Sequence, residues 1–225
     1  MAAVASSSTT PSDPSSSSWP APPMTYEPRP PAPVRALLPK RIDVADLTPN
    51  NLGQLRKLNS VLFPVSYSER FYKDVLDPDV ASICKLGLFN DIAVSNVCCR
   101  FEADGNDAVK VYIATLGVLA PYRRLGLATA LIQHVLKAAG PGSTVELTDK
   151  DAPQPAPKKD KNGKEIKPEA VKVQKKVSAV YLHVQTSNDE ARAFYEKLGF
   201  KVTQTIDSYY RRIQPASAWV LELSA

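Results

Sequence analysis

The chain has 225 residues, of which 44% are hydrophobic, so it can hold one medium domain or two small ones with a sizeable core. No apolar run approaches the roughly 20 residues that cross a bilayer, and the first 28 residues contain neither lysine nor arginine, so we expect a soluble intracellular protein without a transit peptide. The net charge of +5 gives little support to specific DNA binding, because nine lysines and five acidic residues between Asp149 and Lys176 account for most of it. With only two histidines, a histidine-rich metal site is excluded, and we expect no metal.

Composition divides the chain into three kinds of segment. Residues 1–40 are dominated by serine, proline and alanine, which predicts a disordered tail. Residues 41–225 are predicted to form one domain that contains a flexible lysine- and proline-rich insertion at about 141–176. An interpretation of the insertion as a linker between two domains is weaker, because residues 177–225 are too few to build a core alone.

The domain opens with a predicted strand at 42–47 and two helices. Thr48 and Pro49 are typical of a helix cap and first helical position, and the helix is predicted to end before Pro64. Ser68 is predicted to cap a second helix, which carries the apolar stripe of residues 71–76.

A hairpin and a strand-loop-helix unit are predicted next. Strands at 92–101 and 109–118 flank the turn-forming cluster 104–107. The helix after the loop carries apolar residues at helical spacing between Leu127 and Leu136 and is predicted to end at Gly140.

Beyond the predicted insertion, residues 180–185 alternate between an apolar and a polar face, which predicts a strand. Residues 187–190 fit a capping box that begins at Ser187, followed by a short helix at 191–198. Two further strands at 200–203 and 218–223 complete the predicted sheet.

The loop before the 127–136 helix has the composition of a pyrophosphate-binding site. Small residues where a strand ends and a helix begins let a diphosphate approach unpaired backbone N–H groups. The pattern is Arg/Gln-x-x-Gly-x-Gly/Ala, and the residues are Arg123, Arg124, Leu125, Gly126, Leu127 and Ala128. By itself this pattern fits an ordinary helix start with an incidental glycine about equally well.

Longer motifs point to one protein family. Residues 116–126 read LGVLAPYRRLG, and residues 191–200 read ARAFYEKLGF. With these motifs the chain resembles the GNAT-fold acetyltransferases. Within them it is most similar to the San-type N-alpha-acetyltransferases, the catalytic subunits of NatE, through FPVSY at 63–67, FYKDVL at 71–76, FNDIAV at 89–94, YLHVQ at 181–185 and YY at 209–210.

The resemblance implies an α+β GNAT fold, with a mixed central sheet of about seven strands flanked by helices as an α/β/α sandwich. It implies transfer of acetyl from acetyl-CoA to the α-amine of nascent or free protein N-termini that begin with methionine and a hydrophobic residue. It also implies association with the large auxiliary and catalytic subunits of NatA at the ribosome, in the cytoplasm with the nucleus as a second compartment. Lysine acetylation, and a weakly active subunit that acts mainly by binding NatA, are the alternatives.

The resemblance also assigns roles to individual residues. Tyr112 and His183 would jointly hold a water that carries away the proton, and Tyr195 would lie near the CoA sulfur. Cofactor contacts would come from Leu116, Val118, Asn188, Tyr195 and the loop from Arg123 to Ala128. The peptide would contact Phe63, Pro64, Val65, Tyr67, Tyr112, His183, Tyr209, Tyr210 and Ile213.

Two of these assignments have equally ordinary structural explanations. His183 lies on the polar face of its strand, and its pKa near 6.5 suits proton relay, but a histidine hydrogen-bonded within a sheet fits that position as well. Tyr195 lies in the apolar stripe of its helix and fits a core aromatic equally well.

Overall fold

An eight-stranded mixed sheet lies at the centre of the fold, which we describe from a computed structural model. The structure describes residues 40–149, 158–159, 165–166, 171–211 and 213–224. Residues 1–39 of the predicted tail lie outside the described residues, and so does most of the segment 150–170 of the predicted insertion.

The elements, in chain order, are β1 (Ile42–Asp46), α1 (Leu52–Leu62), α2 (Glu69–Asp74), β2 (Lys85–Phe89), β3 (Ile92–Ala103), β4 (Ala108–Val118), α3 (Leu127–Ala139), β5 (Thr144–Thr148), β6 (Lys158–Lys159), β7 (Glu165–Ile166), β8 (Lys172–Gln185), α4 (Asp189–Lys197), β9 (Lys201–Ile206) and β10 (Ala218–Ser224). Short 3-10 turns occupy Pro78–Val80 and Ala120–Tyr122.

The strands lie in the order β1-β2-β3-β4-β8-β10-β9, and β5 pairs with the first part of β8. Neighbours are antiparallel except β4 and β8, which are parallel. The α+β class and the mixed sheet are therefore confirmed. The sequence patterns placed six strands and the resemblance implied about seven; β2 and β5, which no pattern indicated, bring the sheet to eight. Strands β6 and β7 form a separate two-residue pair.

The parallel pair of β4 and β8 opens into a gap. Their ladder runs only from Ala108 opposite Lys176 to Tyr112 opposite Tyr181. Beyond this point β4 stays with β3, while β8 stays with β10. A bulge at Ala114, which is the extra residue between Thr115 and Ile113 in the pairing with β3, bends β4 at the same place. The sheet is thus split between the ends of its two central strands.

Helices cover both faces of this sheet. Gly87 of β2 faces α3, because a Cβ there would lie 3.3 Å from Leu131. Gly117 of β4 faces α1, because a Cβ there would lie 2.7 Å from Leu62. Ser95 lies opposite Gly87 and Asn96 lies opposite Gly117, and successive strand residues point to opposite faces. The two helices therefore lie on opposite sides, which gives the expected α/β/α layering.

Several predicted boundaries differ from the structure. Helix α1 follows Asn51 rather than Thr48, because Asn51 Oδ1 accepts from Thr48 N at 2.8 Å and its Nδ2 donates to Asp46 O at 2.8 Å, which forms a turn before the helix. The Ser68 cap is confirmed by the bond from Phe71 N to Ser68 Oγ at 3.3 Å. The capping box at Ser187 is wrong by one residue, since Asn188 caps α4 instead.

The two ends of the predicted insertion lie in strands. Thr144–Thr148 pairs antiparallel with Lys172–Lys176, where composition had indicated a flexible segment. The end of this hairpin is held to the turn before β2, because Thr148 N and Oγ1 both donate to the Asp79 carboxylate at 3.0 Å. Val145 and Leu147 in β5 alternate with polar residues, but the prolines and lysines of the neighbouring segment favoured a loop over these short strands.

Candidate active site

Four aromatic side chains meet on the α1 face of the sheet, where β4 and β8 separate. The rings of Tyr112 and Tyr181 are 5.0 Å apart, and the His183 ring is 5.5 Å from Tyr112. Tyr209, from the loop between β9 and β10, stacks on His183 with centroids 4.2 Å apart and planes 14° apart. The hydroxyls of Tyr209 and Tyr112 are 3.0 Å apart. The two residues assigned to proton transfer are therefore adjacent.

Two charged residues of β3 border this aromatic cluster. Arg100 lies opposite Tyr112 in the ladder, and its guanidinium carbon is 4.4 Å from the Tyr112 ring centroid, which is a cation–π contact. The same guanidinium donates from Nε to Glu102 Oε1 at 2.7 Å. The Tyr181 hydroxyl donates to the other oxygen of Glu102. The Glu102 carboxylate thus bonds Tyr181 directly and reaches Tyr112 through the stacked Arg100 guanidinium.

Sequence reasoning missed Arg100, Glu102 and Tyr181 as site residues. The available signal was that Arg100 and Glu102 alternate on the strand next to Tyr112, as Tyr181 and His183 do on the other side. Using that signal requires the strand register, and the bulge in β4 changes which residues share a face.

Burial sets the protonation states of the site. Desolvation lowers the pKa of His183 below its ordinary value of 6.5, although the Glu102 carboxylate acts in the opposite direction. Desolvation raises the pKa of Tyr112, and its hydrogen bond with Tyr209 adds to this. Burial alone would raise the pKa of Glu102, but hydrogen bonds from Tyr181 and Arg100 outweigh it and lower the pKa. At neutral pH, His183 is therefore neutral and Tyr112 is protonated.

One nitrogen of the histidine is left without a partner. His183 Nδ1 is buried, and within the described part of the chain it has no hydrogen-bond partner. A neutral imidazole carries one lone pair that can accept a proton. The ring is therefore available for a bond that the protein itself does not supply.

The loop between β4 and α3 has the geometry of an anion site. Gly126 has a φ of 97°, in the left-handed region, while a Cβ there would find its nearest neighbour, Ile42, at 3.7 Å. The backbone angle, and not lack of space, therefore requires glycine. The first main-chain bond of α3 runs from Ala130 N to Gly126 O at 2.9 Å, so the helix does not use the amides between them.

The other loop residues divide between core and surface. Leu127, the first residue of α3, is buried, whereas Leu125 and Ala128 are half-buried. Arg123 Nε donates to Val118 O at 3.1 Å, which holds the loop to the end of β4. Arg124 is exposed and makes one loose ion pair with Glu190 at 3.5 Å. Such a pair contributes little, so the Arg124 guanidinium can turn to another anion at small cost.

The other residues assigned to the cofactor lie at the end of β4, at the start of α4 and on the buried side of α4. Leu119 N donates to Val94 O of β3, so Leu116 and Val118, which alternate with it, direct their main-chain groups toward the gap. Asn188 Oδ1 accepts from Ala191 N at 3.1 Å, which is a helix cap. Tyr195 is buried, and its ring contacts Phe194 at 5.0 Å and Phe200 at 5.5 Å. This packing gives Asn188 and Tyr195 structural roles in addition to any contact with a cofactor.

Two loops on the α1 face carry the residues assigned to the peptide. The α1–α2 loop supplies Phe63, Pro64, Val65 and Tyr67, and the β9–β10 loop supplies Tyr209, Tyr210 and Ile213. Burial raises the pKa of Tyr67, and smaller contributions in the same direction come from Cys98, Tyr72 and the two tyrosines of the β9–β10 loop. Tyr210 packs edge-on against Tyr209 with centroids 4.8 Å apart, and Ile213 is half-buried in the same loop.

Residues 40–149, 158–159, 165–166, 171–211 and 213–224 contain no group of three or more His, Cys, Asp or Glu side chains placed to hold a metal ion. Within the same ranges, no helix combines the length and apolar character needed to cross a membrane.

A sheet split at its central parallel strands, with an anion-binding helix start beside the split, is the arrangement of an acetyl-CoA-dependent acyltransferase. The profile of the Acetyltransferase (GNAT) family matches residues 52–153. N-alpha-acetyltransferase 50 of Danio rerio is 42% identical over 82% of this chain and 89% of its own. The probable N-acetyltransferase san of Drosophila melanogaster is 39% identical over 80% of this chain and 79% of its own.

Solved structures agree with these relatives. Arabidopsis thaliana Naa50 in complex with the bisubstrate analogue CoA-Ac-MVNAL has a TM-score of 0.62 and 35% identity, and the match covers 82% of this chain and 99% of that one. Arabidopsis thaliana NAA60 in complex with acetyl-CoA has a TM-score of 0.59 at 19% identity, which supports the fold alone. The chain belongs to the GNAT family, as an acetyl-CoA-dependent N-alpha-acetyltransferase of the Naa50 and San type.

Proposed function

We propose that this enzyme transfers acetyl from acetyl-CoA to the α-amine of proteins that begin with methionine and a hydrophobic residue. The observation that carries the proposal is the gap between β4 and β8, which has the adjacent Tyr112 and His183 on the α1 face and the Gly126 loop at its end. The bisubstrate analogue bound by Arabidopsis Naa50 begins its peptide with methionine and valine, which supports the same substrate class here.

The cofactor side of the gap fits coenzyme A. The left-handed Gly126 leaves a cradle open at the start of α3, where the amides between Gly126 and Ala130 would hold the diphosphate and Arg124 would add charge. Val118 O already accepts from Arg123, so its N–H is the group left to bind the pantetheine arm beside Leu116. Bound there, acetyl-CoA supplies the activated acetyl thioester.

The α-amine must lose a proton before it can attack. Its pKa of about 7.7 to 8.0 leaves most of it protonated at neutral pH. We assign the acceptance of this proton to a water held jointly by His183 and Tyr112. The buried, unpartnered Nδ1 and the lowered pKa of His183 suit an acceptor, while the raised pKa of Tyr112 keeps its hydroxyl a donor.

Two further roles on the cofactor side stay proposals. Tyr195 would orient or protonate the leaving thiolate, and its raised pKa, caused by burial, keeps the hydroxyl protonated for that task. Asn188 would bind the cofactor arm through Nδ2, because its Oδ1 already caps α4. The aromatic rings of these two loops, α1–α2 and β9–β10, would enclose the methionine side chain and the second residue.

A peptide panel tests this proposal. Purified enzyme with acetyl-CoA is expected to acetylate a Met-Leu peptide and to leave a peptide with a blocked N-terminus and free lysines almost unmodified. Tyr112→Phe and His183→Phe should each lower kcat by about 10² or more, the usual range for loss of a proton-transfer group. Equal rates for the variants and the wild type would contradict the assigned roles.

We also propose that the enzyme works in the cytoplasm, with the nucleus as a second compartment, and joins the NatA subunits at the ribosome. Membership of the San-type family supports this association. Co-sedimentation of the tagged full chain with ribosomes, and co-purification of the large NatA subunit, should be observed. Recovery of the chain only as a free monomer would contradict it.

A further inference from the structure

A cavity of about 490 Å³ lies against the α1–α2 loop. It is lined by the loop from Phe63 to Tyr67, by three residues of α1 and by Tyr72 of α2. In the described part of the chain its lining does not include Tyr112, His183 or Tyr209. The cavity is therefore bounded by the α1–α2 loop and by the two helices that this loop joins.

Asn59 of α1 is one of the residues around this cavity, and its side-chain amide is buried. The residue is 1% exposed, and neither Oδ1 nor Nδ2 has a hydrogen-bond partner among the described residues. Its neighbours there are already paired, because Arg56 binds Glu69 through two nitrogens at 2.6 Å and Ser60 donates to Lys57 O at 2.8 Å. A buried carboxamide that bonds to nothing is unfavourable and rare in folded proteins.

The loop is held by rings and not by its main chain. Phe63 N donates to Asn59 O at 3.1 Å, but the amides of Val65, Ser66 and Tyr67 donate to no acceptor among the described residues. The Tyr67 ring packs against Phe71 at 4.5 Å and edge-on to Phe63 at 6.0 Å. Ring contacts have broad optima, so the loop can shift toward α1 without losing them.

We propose that Asn59 is a positioning residue for the peptide site. When a peptide N-terminus fills the cleft that holds Tyr112 and His183, the α1–α2 loop moves toward α1. Its main chain then hydrogen-bonds the Asn59 carboxamide. This inference rests on the proposed function, since it requires a peptide in that cleft. An amide that is satisfied only in the closed loop favours the closed state and couples loop position to peptide affinity.

The variant Asn59→Leu tests this role with little change of volume. It removes the unpaired polar group, so the melting temperature of the free enzyme should stay equal or rise. The KM for a Met-Leu peptide should increase by about tenfold, the loss expected from one or two hydrogen bonds, with kcat and acetyl-CoA affinity unchanged. Ser60→Ala is the matched control, because it lines the same cavity with an already bonded hydroxyl and should behave as wild type.

Hydrogen exchange separates this inference from the proposed function. A bisubstrate conjugate of CoA with a Met-Leu peptide should slow exchange at Val65, Ser66 and Tyr67 in the wild type but not in Asn59→Leu. If the wild type acetylates no Met-starting peptide, the proposed function fails, and the exchange result still reports the loop. An unchanged KM in Asn59→Leu, or a lower melting temperature with no loss of loop protection, would overturn the inference.

Discussion

Tyr209 lies flat against His183, with ring centroids 4.2 Å apart, while its hydroxyl reaches that of Tyr112 at 3.0 Å. A residue of the peptide loop is thereby joined to both residues assigned to proton transfer. Peptide binding at this loop and proton transfer at the strands cannot be independent, because one side chain belongs to both.

Substitution at Tyr209 separates its ring from its hydroxyl. Tyr209→Phe keeps the stack on His183 and removes only the bond to Tyr112, so kcat/KM for a Met-Leu peptide should fall about 2- to 12-fold, which corresponds to one hydrogen bond. Tyr209→Ala also removes the stack on His183 and should lower kcat/KM clearly further than Tyr209→Phe does. Steady-state kinetics measures both, and equal losses in the two variants would show that the ring contact with His183 contributes nothing.

The pH dependence of activity should respond to Glu102. The neutral form of His183 is the acceptor, so activity falls as pH drops through its pKa, which lies below 6.5. The negative charge of Glu102 raises that pKa, so Glu102→Gln should lower it and move the acidic limb of kcat/KM to lower pH.

The substrate amine also titrates in this range, but equally for both enzymes, so the difference between the two profiles reports the protein. Profiles between about pH 5 and 8 for wild type and Glu102→Gln make the comparison. A shift toward higher pH would contradict the placement of this carboxylate beside the histidine.

A glycine-to-alanine change in the cofactor loop can be compared with the same change in helix α1. Gly126→Ala has room for its Cβ but must keep a φ of 97°, which costs about 1–2 kcal/mol and distorts the amides that face the diphosphate. Acetyl-CoA affinity measured by calorimetry should fall about tenfold or more. Gly53 is an exposed residue of α1, and a Cβ there would have no atom within 4 Å. Gly53→Ala should therefore leave acetyl-CoA affinity unchanged and stabilise the fold by about 0.5–1 kcal/mol. Unchanged affinity in Gly126→Ala would remove the loop from the cofactor site.

The segment between β5 and β8 can be shortened at a defined point. Asp149 N donates to Val171 O at 2.8 Å, so the chain ends that flank residues 150–170 are adjacent. Replacing these residues by Asn-Gly should close a tight hairpin and leave Met-Leu acetylation unchanged. A large loss of activity in a variant with wild-type melting temperature would assign the segment a role in substrate binding.

Elements with a strong period were predictable from the sequence. Val180, Leu182 and Val184 are buried while His183 faces the gap, as their alternation required. The start of α3 directly after Gly126 followed from the change between a strand and a helical pattern. Local chemistry alone fixed these features, so no tertiary information was needed.

The features that the sequence did not predict depend on tertiary structure. Ser187 and Asn188 are both good cap residues, and only the backbone geometry selects Asn188. The contact of Arg100 with Tyr112 depends on a register that includes the bulge in β4, which no local pattern reveals. The unpaired amide of Asn59 likewise becomes visible only when the loop and α1 are placed together.

The most direct test of the enzyme's proposed specificity uses one peptide that carries both a free N-terminal methionine and an internal lysine. After incubation with acetyl-CoA, tandem mass spectrometry locates the added acetyl group. The site between β4 and β8 predicts a single acetyl group on the methionine α-amine. Acetylation on the lysine side chain, with the α-amine left free, would contradict it.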